Sequence, residues 1–330
     1  MTYTFAGSGT QLYAGTELED FLTQDTTLGA GVRQRIGDLG NLRAGFVAST
    51  GSEVWKDPYV VNADRDETDR KSSGARLGWE NILGSDFDVT YTKRKVELDD
   101  ELSGTKLGLN AAQRDLLNRE GDLKKLDLSY HWRVDQDNIL IPTVSYVNQD
   151  LDGDAMAMKG AQFELNYAYL GLQDWELVTN VLVGSLESDD TNPIYGKKAD
   201  VDRYGVSFGA TYKEPFGLKD WRARAAINYG KEDSNIDFYD TSIKSLTVGM
   251  LYNFYRATIR CVIWLVFNQH TFSGLHAIRS VLPTEIFNFS VDNFLYFKRS
   301  DRLRCCFGFE TSPDASADQE NSIDTHRGWQ

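Results

Sequence analysis

Apolar side chains recur at every second position through most of this chain, and the positions between them carry charge. In one stretch Trp221, Ala223, Ala225, Ile227 and Tyr229 alternate with intervening residues that include Arg222 and Arg224. Successive residues of an extended strand point to opposite faces, so such a segment forms a ribbon with one greasy side and one charged side. The pattern returns in Leu28, Ala30, Val32; in Ala75, Leu77, Trp79; in Phe87, Val89, Tyr91; in Leu126, Leu128, Tyr130; in Phe163, Leu165, Tyr167; in Leu177, Val181, Val183; and in Tyr204, Val206, Phe208. Read this way, the chain holds about twelve segments of roughly 9 to 13 residues, the length of tilted strands that cross a bilayer.

The opposite face is the decisive one. It carries Arg33, Arg35, Arg43, Arg76, Glu80, Asp88, Arg94, Asp127, His131, Arg133, Glu164, Glu176, Arg203, Arg222 and Arg224. No apolar core accepts that set, because an ionised group taken from water and left unpaired is strongly destabilising. These residues must face water or one another, which turns the apolar face toward hydrocarbon. The expectation is an all-β, antiparallel transmembrane β-barrel of about 12 to 14 strands with a charged, lumen-facing inner wall. A soluble antiparallel sheet with one solvated face is the competing arrangement.

Composition is compatible with this reading. A hydrophobic share of 41% and a mean hydropathy of -0.43 also describe an acidic soluble protein, but a barrel needs apolar residues at only half its strand positions. No run of about 18 apolar residues occurs, which excludes helical spans. Connection lengths agree as well. Short turns at Gly37–Gly40, Leu83–Ser85, Asp135–Asp137, Gly171–Gln173 and Glu214–Lys219 alternate with long loops at Thr50–Ser72, Leu98–Asp122, Asp150–Lys159, Ser188–Asp200 and Asp233–Asp240. Trp79, Phe87, Trp132, Tyr169, Trp175, Tyr212 and Trp221 stand beside the short turns, as an aromatic girdle at one interface would.

Val248, Met250, Tyr252 and Phe254 read as the closing strand, so the barrel is expected to occupy residues 1–254. Residues 255–330 contain all three cysteines and balanced charge, so the formal net charge of -14 belongs to the first segment. This tail is expected to be non-barrel, either disordered or readthrough or fusion sequence. At the other end, Thr2–Phe5 precedes the short turn Gly7–Thr10 and lacks an ascending partner, and no signal peptide opens the chain. An N-terminally truncated barrel is the expectation.

Candidate chemistry is sparse. His131 has Asp127 and Arg133 as same-face neighbours, an arrangement read as part of a polar wall rather than a catalytic site, so no enzymatic activity is expected. Asp150, Asp152 and Asp154 in DLDGD offer a weak divalent-cation site that lacks the later Glu of a calcium loop. No other cofactor is expected. In the longest loop Asn110 and Gln113 have capping-box spacing, and Leu107, Leu109, Leu116 and Leu117 would give the capped helix a greasy side. That helix would either constrict the lumen or pack across the mouth. The acidic balance and the lack of basic aromatic patches argue against nucleic acid.

WKDPYVV at Trp55–Val61, ETDR at Glu67–Arg70, SSGARLGWENILGSDFDVTY at Ser72–Tyr91 and KVELDDELSG at Lys95–Gly104 resemble an uncharacterised family of Gram-negative outer-membrane β-barrels, seen chiefly in marine bacteria. The resemblance covers the body and implies an outer-membrane location, with lipid, lipopolysaccharide and the outer-membrane assembly machinery as partners. It implies no activity. By elimination the expected role is a porin-like passive channel for small solutes. A closed structural or receptor barrel is the alternative, and an outer-membrane hydrolase the second one.

Overall fold

In the computed structural model, residues 2–5, 7–20, 25–49, 51–61, 64–253 and 260–271 of the 330 are described. The strands are β1 (Thr2–Phe5), β2 (Thr10–Asp20), β3 (Asp25–Arg35), β4 (Asn41–Ser49), β5 (Ser52–Trp55), β6 (Glu67–Glu80), β7 (Phe87–Leu98) and β8 (Gly121–Tyr130). They continue as β9 (Trp132–Arg133), β10 (Asn138–Leu151), β11 (Met158–Tyr169), β12 (Trp175–Ser188), β13 (Asp200–Lys213), β14 (Trp221–Ser234), β15 (Thr241–Asn253) and β16 (Arg260–Thr271). One short helix, α1 (Ala111–Asp115), lies between β7 and β8. Every ladder is antiparallel, and all the strands belong to one sheet. Fourteen strands follow one another as neighbours in chain order, with β5 added to β6 and β9 added to β10. This is the up-and-down meander of a β-barrel wall, within the expected strand number. Among the described residues no ladder joins β1 to β16.

Register places the two kinds of residue on opposite faces. In β6, Leu77 is 56% exposed and its neighbour Arg76 only 7%. Arg203 in β13 is 2% exposed between Tyr204 and Asp202, which are both exposed. Leu28, Val32, Phe163, Val183, Val206, Phe208 and Ile227 are likewise exposed. A water-soluble fold would show the reverse, so the sheet has the polarity of a membrane barrel.

The exposed band has a measurable height. Along β14 it runs from Trp221 to Tyr229, after which Lys231 and Asp233 take over the same face and pair at 2.9 Å. Nine residues at about 3.3 Å each, tilted about 40°, rise roughly 23 Å, close to the apolar belt of membrane barrels. The same exchange occurs at Lys93–Asp122 (2.8 Å) and Lys159–Asp189 (2.7 Å).

Two boundaries differ from expectation. The Thr50–Ser72 stretch is not all loop, because β5 and the first residues of β6 form a hairpin that leaves Lys56–Asp66 as the connection. More significantly, β15 does not close the sheet: β16 pairs with it over twelve positions, from Asn253↔Arg260 to Ser242↔Thr271. Strand pairing thus passes the boundary expected at residue 254. Alternation could not reveal β16, because Cys261–Phe267 is a continuous apolar run rather than a period-two pattern. Phe254 and the remainder of 255–330 lie outside the described residues.

Candidate functional site: the sheltered charged face and the long-loop mouth

On the sheltered face, charged side chains meet partners on adjoining or nearby strands. Arg203 Nε donates to Glu232 Oε1 at 2.9 Å and its Nη1 to Gln162 Oε1 at 3.1 Å. Arg222 Nη1 lies 2.9 Å from Glu176 Oε1. Arg76 Nε donates to Thr92 Oγ1 and Arg94 Nη1 to Ser72 Oγ, both at 3.0 Å. Arg33 pairs with Glu80, and Glu164 accepts from Asn166 and Asn180. Arg224 is half-buried in β14, whereas Arg35 and Arg133, at strand ends, are exposed. Face follows from sequence parity, while register and partners depend on which strands adjoin.

His131 shows that dependence. It falls between β8 and β9, where its backbone N–H donates to Asp86 O at 2.8 Å, and its Nε2 lies 3.0 Å from Asp88 Oδ2 on β7. The expected neighbour Asp127 instead accepts from Ser145 Oγ at 2.6 Å and pairs with Lys125 at 3.1 Å. Cross-strand distance is shorter than the step of two along a strand, so the adjacent strand supplies the partner.

Of these groups Arg33, Glu80, Asp88 and His131, together with Gln11, Tyr13 and Arg43, border an open cavity of about 650 Å³. Tyr13 lies across Gly31 and Gly45, which neighbour it in register on β3 and β4. A Cβ at Gly31 would come within 2.5 Å of the Tyr13 hydroxyl and one at Gly45 within 2.3 Å. The two glycines thus provide the flat bed on which the ring rests. The Arg43 guanidinium sits 4.3 Å from the ring centroid, a cation–π contact that holds the charge at the cavity wall.

The long-loop end is built differently. Tyr59, in the β5–β6 connection, hydrogen-bonds through its hydroxyl to that of Tyr239 at 2.9 Å, 180 residues later in the chain. Its ring stacks on Phe238 at 5.2 Å and approaches Tyr195 at 6.4 Å. Asn192 Nδ2 donates to Tyr239 Oη at 2.7 Å, and Tyr59 Oη donates to Met156 Sδ at 3.3 Å. Four loops therefore converge on one aromatic cluster. Burial raises the pKa of all three phenols: Tyr59 well above its ordinary value, Tyr195 to about 12, and Tyr239 upward.

Around this cluster the loops form a small core of their own. Leu117 is fully buried, and Val60, Ala155, Ala157, Ala199 and Ile236 are buried with it. The expected capping box is present: Gln113 N donates to Asn110 Oδ1 at 2.9 Å and Asn110 N to Gln113 Oε1 at 3.1 Å. Leu117 follows α1 inward, while Leu107 stays exposed. Buried Asp57 accepts from the backbone N–H groups of Tyr59, Gly104 and Lys106 at 3.2, 3.0 and 3.3 Å, which ties two loops together. Arg119 binds Glu101 at 2.7 Å and donates to Lys56 O at 3.0 Å. The loop thus packs across the mouth.

Asp150, Asp152 and Asp154 do not converge. Asp150 is held by Lys124, and among the described residues no three acidic, histidine or cysteine groups gather at a metal-binding geometry. Of the girdle residues, Trp79, Phe87, Trp132 and Trp175 are exposed and Tyr169, Tyr212 and Trp221 half-buried, all at strand ends beside short turns. Their rings pair across strands, Phe87 on Tyr130, Trp175 on Tyr212 and Trp221 on Tyr252, at 4.7 to 5.0 Å. Val248 is exposed on β15, with Met250 and Tyr252 half-buried.

Sequence reasoning missed the mouth cluster. A usable signal existed, since DPY, NPIY and DFY place aromatic residues inside otherwise acidic loops where solvation alone gives them no reason to be.

No curated protein matches the chain. Among solved structures it is similar to OmpT, an outer membrane protein of Vibrio cholerae, at 10% identity and a TM-score of 0.38 over 82% of this chain and 87% of that one. A loop L8 deletion mutant of OmpT gives 11% identity and a TM-score of 0.40 over 82% and 92%. OccAB4 of Acinetobacter baumannii gives 13% and 0.37 over 79% and 69%. The family described as "Protein of unknown function (DUF2860)" matches residues 1–253, and the chain belongs to that family.

Proposed function

We propose that the protein is an integral outer-membrane β-barrel acting as a porin-like passive channel for small polar solutes, its long-loop mouth shut in the conformation described here. The observation that carries this reading is the charged, sheltered face, of which Arg33, Arg43, Glu80, Asp88 and His131 border an open cavity of about 650 Å³, where a purely structural barrel could fill its interior with side chains. In this reading that face lines the lumen, the long loops face outward and the short turns face the periplasm. The Lys–Asp pairs above the apolar band stand at the height of lipopolysaccharide phosphates, and exposed pairs of this kind exchange partners at little cost. In this reading the role is not enzymatic, and His131 with its partner Asp88 belongs to the polar wall. The assembly machinery of the outer membrane would insert the chain, and nucleic acid is not a partner.

The loop core favours one second reading, a closed structural or receptor barrel. Planar-bilayer recordings of the full chain and of a Tyr59→Ala, Tyr239→Ala variant separate the two. Rare, small openings in the parent and several-fold higher conductance in the variant are expected. Silence in both would leave the closed barrel.

A further inference from the structure

The short-turn end carries large apolar side chains at its outermost positions. Phe216 is 95% exposed at the tip of the β13–β14 turn, and Leu83 and Leu39 occupy the tips of the β6–β7 and β3–β4 turns at 66% and 52%. Leu172 and Val134 repeat the arrangement in the two turns between. Every short turn joining two long strands from β3 to β14 thus presents an apolar residue outward.

Two of these tips also carry backbone cost. Leu83 and Phe216 sit at φ 54° and 58°, each followed by a glycine that is also left-handed. A bulky side chain in that region is unfavourable, and glycine would fill it freely. A chain that keeps both strain and an apolar surface at the same atoms, if those atoms lie in water, has two unopposed penalties. Contact with an apolar medium offsets both.

The adjoining surface supplies such a medium. Phe87, Trp132 and Trp175 stand at the strand ends that lead into these turns, exposed on the lipid-directed face. Trp79 Nε1 donates to the carbonyl of Leu39 at 2.7 Å, which joins the girdle to a turn tip directly. The apolar band is therefore continuous from the strands, through the aromatic ring, onto the turns. Charge sets the depth. Asp38, Asp135, Asp137 and Asp174 are exposed in the same turns, so the tips stop among headgroups rather than entering the hydrocarbon. Their acidity favours headgroups that carry an ammonium.

We infer that the short turns form a crown set into the headgroup layer of zwitterionic phospholipid, so that this end of the barrel lies flush with the membrane instead of projecting from it. The inference rests on the membrane-barrel reading above. Its test uses the full chain with Cys261→Ser, Cys305→Ser and Cys306→Ser, reconstituted in dioleoylphosphatidylcholine vesicles. Single nitroxide labels go at Phe216→Cys, Leu83→Cys, Ile227→Cys in the apolar band and Ser52→Cys in the long-loop hairpin. Collision with oxygen, which concentrates in lipid, is compared with collision with a water-soluble nickel chelate. The oxygen-to-nickel ratio at both turn tips is expected clearly above that at Ser52 and below that at Ile227, as a headgroup depth requires. Tip ratios equal to that at Ser52, with Ile227 still in lipid, overturn the crown and leave the barrel standing, the tips then being free for a protein partner. A ratio at Ile227 equal to that at Ser52 overturns both.

Discussion

The two ends of this barrel handle apolar residues in opposite ways. At the long-loop end Leu117, Ile236, Val60 and Tyr59 are buried, and Asp57 and Asn192 hydrogen-bond to Gly104 and Tyr239 among them. At the short-turn end Leu39, Leu83 and Phe216 are exposed and cover nothing. Long loops have enough chain to build a core, whereas a turn of a few residues has none to fold over its own side chain. The proposed crown adds a difference of medium to this: water forces burial at the mouth, and lipid would remove the need for it at the turns.

The largest effect that could break this comparison lies in the ion pairs. Arg203 and Glu232, toward the mouth, are 3% and 19% exposed in their side chains, whereas Arg222 and Glu176, toward the turns, are 38% and 26% exposed. Removing one member of a buried pair strands the other charge, so Arg203→Ala is expected to cost about 3 kcal/mol or more. Arg222→Ala leaves a carboxylate that water and Lys213 can reach, and about 1 kcal/mol or less is expected. Urea unfolding of the chain in vesicles measures both. Equal losses would mean that the two halves of the wall are equally dry.

Next in size is the latch at the mouth. Asp57→Asn keeps the shape but turns one acceptor oxygen into a donor facing the N–H groups it used to bind, for an expected loss of about 1 to 3 kcal/mol. The loss should be local. Protease cleavage within 99–120 should accelerate while unfolding of the strands stays unchanged, and a wall that weakens equally would show that the loop core and the barrel are one cooperative unit.

The pH dependence of the mouth follows from its phenols. Burial disfavours the phenolate, so Tyr59, Tyr195 and Tyr239 keep their protons to higher pH than the unfolded chain does. A raised folded pKa contributes stability that is complete below the ordinary tyrosine value near 10 and is lost as pH climbs through the folded value, about 12 for Tyr195. Protease access to the long loops should therefore rise between pH 10 and 12, together with tyrosinate absorbance. Loops that loosen below pH 9 would show that the aromatic cluster is not what holds them.

The same contrast explains what could be read from the sequence. The wall was legible wherever a strand states its two faces locally: Arg76 between Ala75 and Leu77 needs no knowledge of any other strand. Partners were not legible. His131 meets Asp88 rather than Asp127 because β7 adjoins it, and parity along one strand carries no information about the next. The mouth was less legible still, since Tyr59 and Tyr239 come together only after the wall curves, across 180 residues. β16 escaped because its apolar run has no period of two.

The smallest effect sharpens the comparison most. Phe216→Gly and Asp220→Gly relieve backbone positions of the same kind, at φ 58° and 68°. Asp tolerates the left-handed region, so Asp220→Gly is expected to change stability by only a few tenths of a kcal/mol. Phe216→Gly relieves more strain, about 1 kcal/mol, and in water it would be the more stabilising of the two. A ring in contact with lipid reverses that order, because deleting it forfeits part of the roughly 2 kcal/mol that shelter of a phenyl group provides. Measured by urea unfolding in phosphatidylcholine vesicles, Phe216→Gly should be neutral or destabilising relative to Asp220→Gly. If it is instead the more stable variant, the turn stands in water, and the two ends of the barrel face the same solvent.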